Sequence, residues 1–276
     1  FTFARLGASI AQSGPHLILG RLLGPQALGF FSRAVFMVNR LELVTVGGLQ
    51  NVLLSAFANG GQDEARLRAG LLRSTRLLAA AALPLFAALA LVADDLVLVV
   101  LGPTWREAGP LVRIASLMGA TSALATVADA LLKAAGHWSI LIAVQSTTAV
   151  VVLAAAWLGA STGTLGATLA IIGVLSTASL SIVVATMWMF RVSPLDYLRV
   201  LAPGAAFALA LGISEVAIRA LIPTAWDTSF GRLALFGVAG LACGAMALTW
   251  IKTHYAGRTV GDYSVLAEWY RGHRRR

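Results

Sequence analysis

The sequence predicts an all-α, polytopic integral membrane protein, and three observations carry that reading. Of its 276 residues, 58% are hydrophobic and only 12% charged, against roughly 25% charged in soluble domains. The mean hydropathy is +0.82. Apolar runs long enough to cross a hydrocarbon core of roughly 30 Å follow one another along the chain, separated by glycine and proline. Strands are a poor alternative, because lipid leaves backbone groups unsatisfied outside a helix or closed barrel, and these runs lack period-two alternation. The same composition excludes a disordered chain and a disulfide scaffold. Cys243 is the single cysteine and has no internal partner.

Taken in order, the hydropathy marks about eight spans, at 2–22, 25–48, 77–101, 108–131, 138–159, 164–190, 200–221 and 231–251. Gly24-Pro25, Gly102-Pro103, Gly136-His137, the stretch 159–166, Ser193-Pro194 and Pro223 stand where helices should end or begin. The second span is the least regular. Arg33, Arg40 and Glu42 interrupt it, and residues 49–76 read as a possible continuation in an interfacial amphipathic helix. Gly237, Gly240 and Gly244 in the last span allow close helix approach. Residues 1–252 are thus expected to form a transmembrane bundle and 253–276 a basic cytoplasmic tail. In that tail Tyr255, Tyr263, Trp269 and Tyr270 alternate with basic residues, which fits a segment lying on the inner leaflet or a plain disordered tail. Phe1 is no initiator methionine and no signal peptide opens the chain, so the sequence reads as a fragment.

Charge sets the expected orientation. Alternating spans collect Arg66, Arg68, Arg73, Arg76, Lys133, Arg191, Arg199, Lys252, Arg258, Arg271 and the terminal Arg274, Arg275 and Arg276 on one side. Arg21, Arg106, Arg219 and Arg232 fall on the other, near Asp94, Asp95, Glu107 and Asp227. The positive-inside rule then places both ends of this chain in the cytoplasm. The net charge of +9 is accordingly read as arginines facing anionic membrane lipid, with no nucleic-acid partner.

Catalytic patterns are missing. The histidines His16, His137, His254 and His273 stand alone, and neither a phosphate-cradling glycine loop, a Walker lysine nor a Gly-x-Ser-x-Gly elbow occurs. No metal or cofactor is expected, and an enzyme is the minority reading, its form a membrane-embedded glycan polymerase or ligase. That class would want a large periplasmic loop, whereas the outward loops here are short.

What remains is charge inside the bilayer, where an ionisable side chain costs about 2.5 kcal/mol or more at the centre and usually faces a cavity or a partner. With a helix starting at Pro25, Arg33 lies roughly 12 Å and Arg40 roughly 22 Å along its axis, on one face. Asn39 stands beside the second arginine. Guanidinium forks bind phosphate in a bidentate way, so an anionic, phosphate-bearing cargo is a reasonable ligand; bonding to helix carbonyls or to a carboxylate on another span is the structural alternative. Glu42 does not face Arg40, since two residues turn a helix by about 200°, and is expected to have its own partner or to reach the interface. Arg113 enters the fourth span near the outer surface, where headgroup anchoring competes with cargo contact, and Arg5 near the inner end of the first span is read in the same way. Asp129 with Lys133 and Glu215 with Arg219 have the i, i+4 order of structural ion pairs. Gln12, Ser13, Pro15 and His16 make a polar, kinked centre in the first span, suited to lining a water-filled path or to a packing kink. The candidate substrate-binding set is Arg33, Arg40, Arg113, Asn39 and Gln12.

Three blocks resemble a known family. LILGRLLGPQALGFFSRA at 17–34 is similar to the seventh-to-eighth helix junction of the Wzx-type lipid-linked oligosaccharide flippases, within the multidrug/oligosaccharidyl-lipid/polysaccharide exporter superfamily. VADDLVLVVLGPTWREAGPLVRI at 92–114 resembles the ninth-to-tenth helix connection, and DEARLRAGLLRSTRLL at 63–78 the basic stretch before it. The resemblance implies the second helical bundle of a MATE-like two-bundle transporter in a bacterial cytoplasmic membrane. Its implied activity is flipping a polyprenyl-diphosphate-linked oligosaccharide, a precursor of lipopolysaccharide or exopolysaccharide, by alternating access. A polysaccharide polymerase or export machinery is an implied partner. Within the Gly-aromatic-aromatic-Ser-Arg-Ala pattern, the family's arginine is Arg33. Pro15 and His16 replace an Asp and Asn common in the family, and Ser55 replaces a proline, so ion coupling through that first position is not implied. An organic-cation antiporter of the same superfamily is the alternative, and it would want acidic cavity walls.

Overall fold

The computed structural model describes residues 13–47, 49–59 and 63–221, with isolated positions 231, 234, 236 and 237. Among the described residues every long element is a helix and no strand occurs. The helices are α1 (13–22), α2 (Gly24–Thr45), α3 (Leu49–Asn59), α4 (Glu64–Leu91), α5 (Ala93–Val100), α6 (Ala108–Ala134), α7 (Trp138–Ala160), α8 (Gly163–Met189) and α9 (Pro194–Leu221). The described part of the first expected span is α1, while the span at 231–251, the glycines within it and the tail lie outside the described residues save the isolated positions.

Punctuation in the sequence translates into geometry. Glycines at 24, 102, 136 and 163 all take positive φ, between 79° and 89°, a conformation that a side chain disfavours, and each sits beside a helix start. Pro25 then occupies the first turn of α2, where its missing N–H breaks no hydrogen bond. Asp63 caps α4 by accepting the Ala65 N–H at 3.0 Å, and Glu64 complements the first-turn dipole.

Five helices, α4 and α6 to α9, are long and apolar enough to cross a membrane; α2 and α3 supply a sixth as a pair bent by 46°. The region of the expected span at 77–101 is built differently. Helix α4 begins thirteen residues earlier, at Glu64, and stops at Leu91; a break at Val92 starts the separate eight-residue α5. Two causes are visible. Leu67, Leu71, Thr75 and Leu78 are buried at helical spacing, so the basic stretch at 63–78 packs as part of the span. Asp94 and Asp95 meanwhile favour a first helical turn over a helix interior. Nor does 49–76 form one continuous amphipathic helix, since α3 and α4 are distinct elements. The last described span starts at Pro194, earlier than the expected residue 200.

Helix α6 is the hub. Its most apolar window is 61% buried, against 17–33% for the other four spans, because α2, α3, α4, α5 and α8 all pack on it. Helix α9 packs on the far side of α4, and α7 pairs with α8. Helices α4 and α9 approach closely at Gly204 of α9, where an added Cβ would lie within 2.7 Å of the Ala79 carbonyl carbon of α4. The main apolar core runs through Phe30, Val38, Phe86, Val112, Val127 and Leu131.

Candidate functional site

A cavity of about 860 Å³ opens among α1, α2, α6, α7 and α8. Its apolar wall includes Phe31, Val35, Ile171 and Ile182. Polar groups come one to three per helix: Ser13 and His16 from α1, Ser32, Asn39 and Glu42 from α2, Ser122 from α6, Gln145 and Thr148 from α7, and Ser179 from α8. Helical spacing explains the α2 set, because residues three, four or seven apart share a face. The polar stretch of the first span, Ser13, Pro15 and His16, does line this space, with His16 edge-on to Phe31 at 5.2 Å between ring centroids.

Glu42 finds the partner expected of it. Ser122 Oγ donates to Glu42 Oε1 across the α2–α6 interface. The arginines of α2 flank the cavity-lining Phe36 without entering the lining themselves. Arg33 and Arg40 are both exposed and neither lines the cavity. The Arg33 guanidinium carbon sits 5.7 Å from the Trp105 ring centroid, and Trp105 is itself held edge-on by Phe30 at 5.7 Å. Arg40 stacks over Phe36 at 4.8 Å. Neither arginine is ion-paired with a carboxylate among the described residues. Each guanidinium therefore rests one face on an aromatic ring and leaves its N–H donors directed elsewhere.

The other members of the candidate set separate. Arg113 pairs with Asp94 and donates through Nε to the Ala90 carbonyl at 3.4 Å, a join between α6 and the α4–α5 break. Asn39 is exposed and lines the cavity with Glu42, apart from the two arginines in lining though adjacent to Arg40 in sequence. Gln12 and Arg5 lie outside the described residues. Asp129 and Lys133 form the expected i, i+4 ion pair, and Gln50 Nε2 adds a 2.9 Å bond to Asp129 Oδ2. Glu215 is buried on α9, while the Arg219 side chain lies outside the described residues. Ser122, Gln145, Thr148 and Ser179 went unnoticed in sequence, since single polar residues in apolar helices commonly bond their own backbone. Gln145 and Thr148, three apart on one face, were the available signal.

Fold and cavity together define a polytopic helical membrane protein with a hollow of mixed polar and apolar lining among its helices. Residues 1–110 match the model of a family described as polysaccharide biosynthesis protein, and the resemblance read from residues 17–34, 63–78 and 92–114 is borne out. Over 133 residues, 48% of this chain, it is 29% identical to the teichuronic acid biosynthesis protein TuaB of Bacillus subtilis (strain 168). That match spans 27% of the relative's length. No solved structure matches the chain.

Proposed function

We propose that this chain is one helical bundle of a membrane transporter that moves a lipid-linked, phosphate-bearing glycan precursor across a bacterial cytoplasmic membrane, a step in making a surface polysaccharide. The observation that carries the reading is the pair Arg33 and Arg40, seven residues apart on an exposed stripe of a helix packed among membrane-crossing helices, with no carboxylate partner among the described residues. A guanidinium facing hydrocarbon costs about 2.5–3.5 kcal/mol. A wet path facing a second bundle, with a diphosphate to accept its hydrogen bonds, removes that cost. The similarity to polysaccharide biosynthesis proteins supports the glycan cargo.

Mechanistically the cycle needs no covalent chemistry. The arginine stripe attracts the diphosphate, the sugars occupy hydrated space, and the polyprenyl tail stays in lipid. Binding moves the equilibrium only if the cargo interacts more strongly with one of the two access states. In a strain lacking the full-length gene, Arg33→Ala and Arg40→Ala variants that still reach the membrane are expected to lower surface polysaccharide. The affinity loss per arginine is about tenfold to hundredfold, the worth of a charge-assisted hydrogen bond. Normal polysaccharide in both variants removes the stripe from the transport path.

Glu42, an acidic group in the cavity wall, favours a second reading, export of organic cations. Increased sensitivity to cationic dyes in a deletion strain, with polysaccharide intact, would select it.

A further inference from the structure

The cavity contains a carboxyl group that cargo binding on the arginine stripe does not use. Glu42 lies about 27 Å along α2 from Gly24, taking 1.5 Å per residue, half-buried in the cavity wall. Its hydrogen bond comes from the neutral hydroxyl of Ser122 on α6. Among the described residues no lysine or arginine lines the cavity. On α2 itself, Arg40 is engaged with the Phe36 ring. Helix α1 presents His16 to the same space. Helix α6 carries Asp129 about two turns further on, already held by Lys133 and Gln50. The walls from α7 and α8 are amide, hydroxyl and apolar groups, Gln145, Thr148 and Ser179 among them.

A half-buried carboxylate among membrane-crossing helices, with one neutral donor, is poorly compensated as an anion, and such a group is a candidate for proton exchange. We propose that Glu42 and Ser122 form a proton-binding site in which the charge on Glu42 is tied to the α2–α6 contact. In the anionic form Ser122 Oγ–H donates to the carboxylate. Uptake of one proton from cavity water gives the acid, whose O–H donates to Ser122 Oγ; release returns the proton to cavity water. The hydroxyl suits both states because it donates and accepts. A metal cation is the less suited occupant, since a hard cation wants about six oxygens in place of one carboxylate and one hydroxyl already bonded to each other.

The site stands on the cavity alone, independently of the glycan reading, so its test measures protonation and not transport. Full-length protein carrying ¹³C-labelled glutamate is placed in lipid nanodiscs, and infrared difference spectra are recorded between about pH 4 and pH 9. The expected result is a titrating carboxyl C=O band that is lost in Glu42→Gln, retained in Glu42→Asp after ¹³C-labelling of aspartate, and shifted to higher frequency in Ser122→Ala, where the hydrogen bond is gone. Sodium should leave the band unchanged. The proposal is overturned if Glu42→Gln keeps the wild-type spectrum, if Ser122→Ala leaves the band in place, or if the band responds to sodium at constant pH.

Discussion

Three side chains at the α3–α6 contact show what a buried charge near a helix end requires. Asp129 is buried, with side-chain exposure of 12%, yet it accepts from Gln50 at 2.9 Å and pairs with Lys133 one turn away. Removing it leaves an ammonium and an amide without their acceptor, and the cost of such an orphaned pair is about 1–3 kcal/mol. Asp129→Ala should therefore lower the thermal midpoint in detergent clearly, whereas Asp129→Asn, which keeps an acceptor for Gln50, should lower it less. Equal losses would assign the effect to charge alone. The Asp129–Lys133 pair was legible in sequence because i, i+4 spacing is a local rule. Gln50, seventy-nine residues away from Asp129, follows no local rule.

Helices α4 and α9 meet through two features of different worth. Arg68 and Asp196 form a 3.2 Å ion pair between them, with both side chains about two-fifths exposed, and a pair so exposed contributes about 0–1 kcal/mol. Gly204, by contrast, lets the two backbones touch. A leucine there would force the helices apart at about 1–3 kcal/mol. Gly204→Leu is therefore expected to reduce the yield of folded protein in the membrane sharply, and Arg68→Ala hardly at all, as read by fluorescence-detected gel filtration. Matching yields for the two variants would contradict this ranking. Element ends were read well from Gly24-Pro25 and Gly136-His137, since a positive φ and a fixed proline ring act locally. The split of the expected 77–101 span was missed. Hydropathy saw one apolar run, while the aspartates at 94 and 95 and the packing of Leu67 and Leu71 moved the boundaries.

At the scale of the molecule, α2 carries two surfaces of opposite meaning. One packs on α6 and lines the cavity, with Phe36 at its edge; the other presents Arg33, Arg40, Leu43 and Val44 outward. Outward on a membrane bundle means either lipid or a second bundle, and labelling separates the two. In full-length protein with Cys243 replaced by serine, Arg33→Cys and Arg40→Cys should react with a charged, membrane-impermeant maleimide in intact vesicles of one orientation or the other. Val150→Cys, on an apolar face of α7 with 70% exposure, should not. Unreactive cysteines at both 33 and 40 would place the stripe in hydrocarbon and remove the basis of the transport proposal.

Composition and periodicity by themselves determined that this chain is a helical membrane protein, where α2, α6, α7 and α8 begin, and that two arginines share a face of the second span, because each of those depends on neighbours within a few residues. Only tertiary structure decided that Glu42 and Ser122 meet, that Asn39 belongs with them and not with the arginines in the cavity wall, and that α6 is the hub. A cavity is the space left between helices distant in sequence, so no single run of residues encodes it.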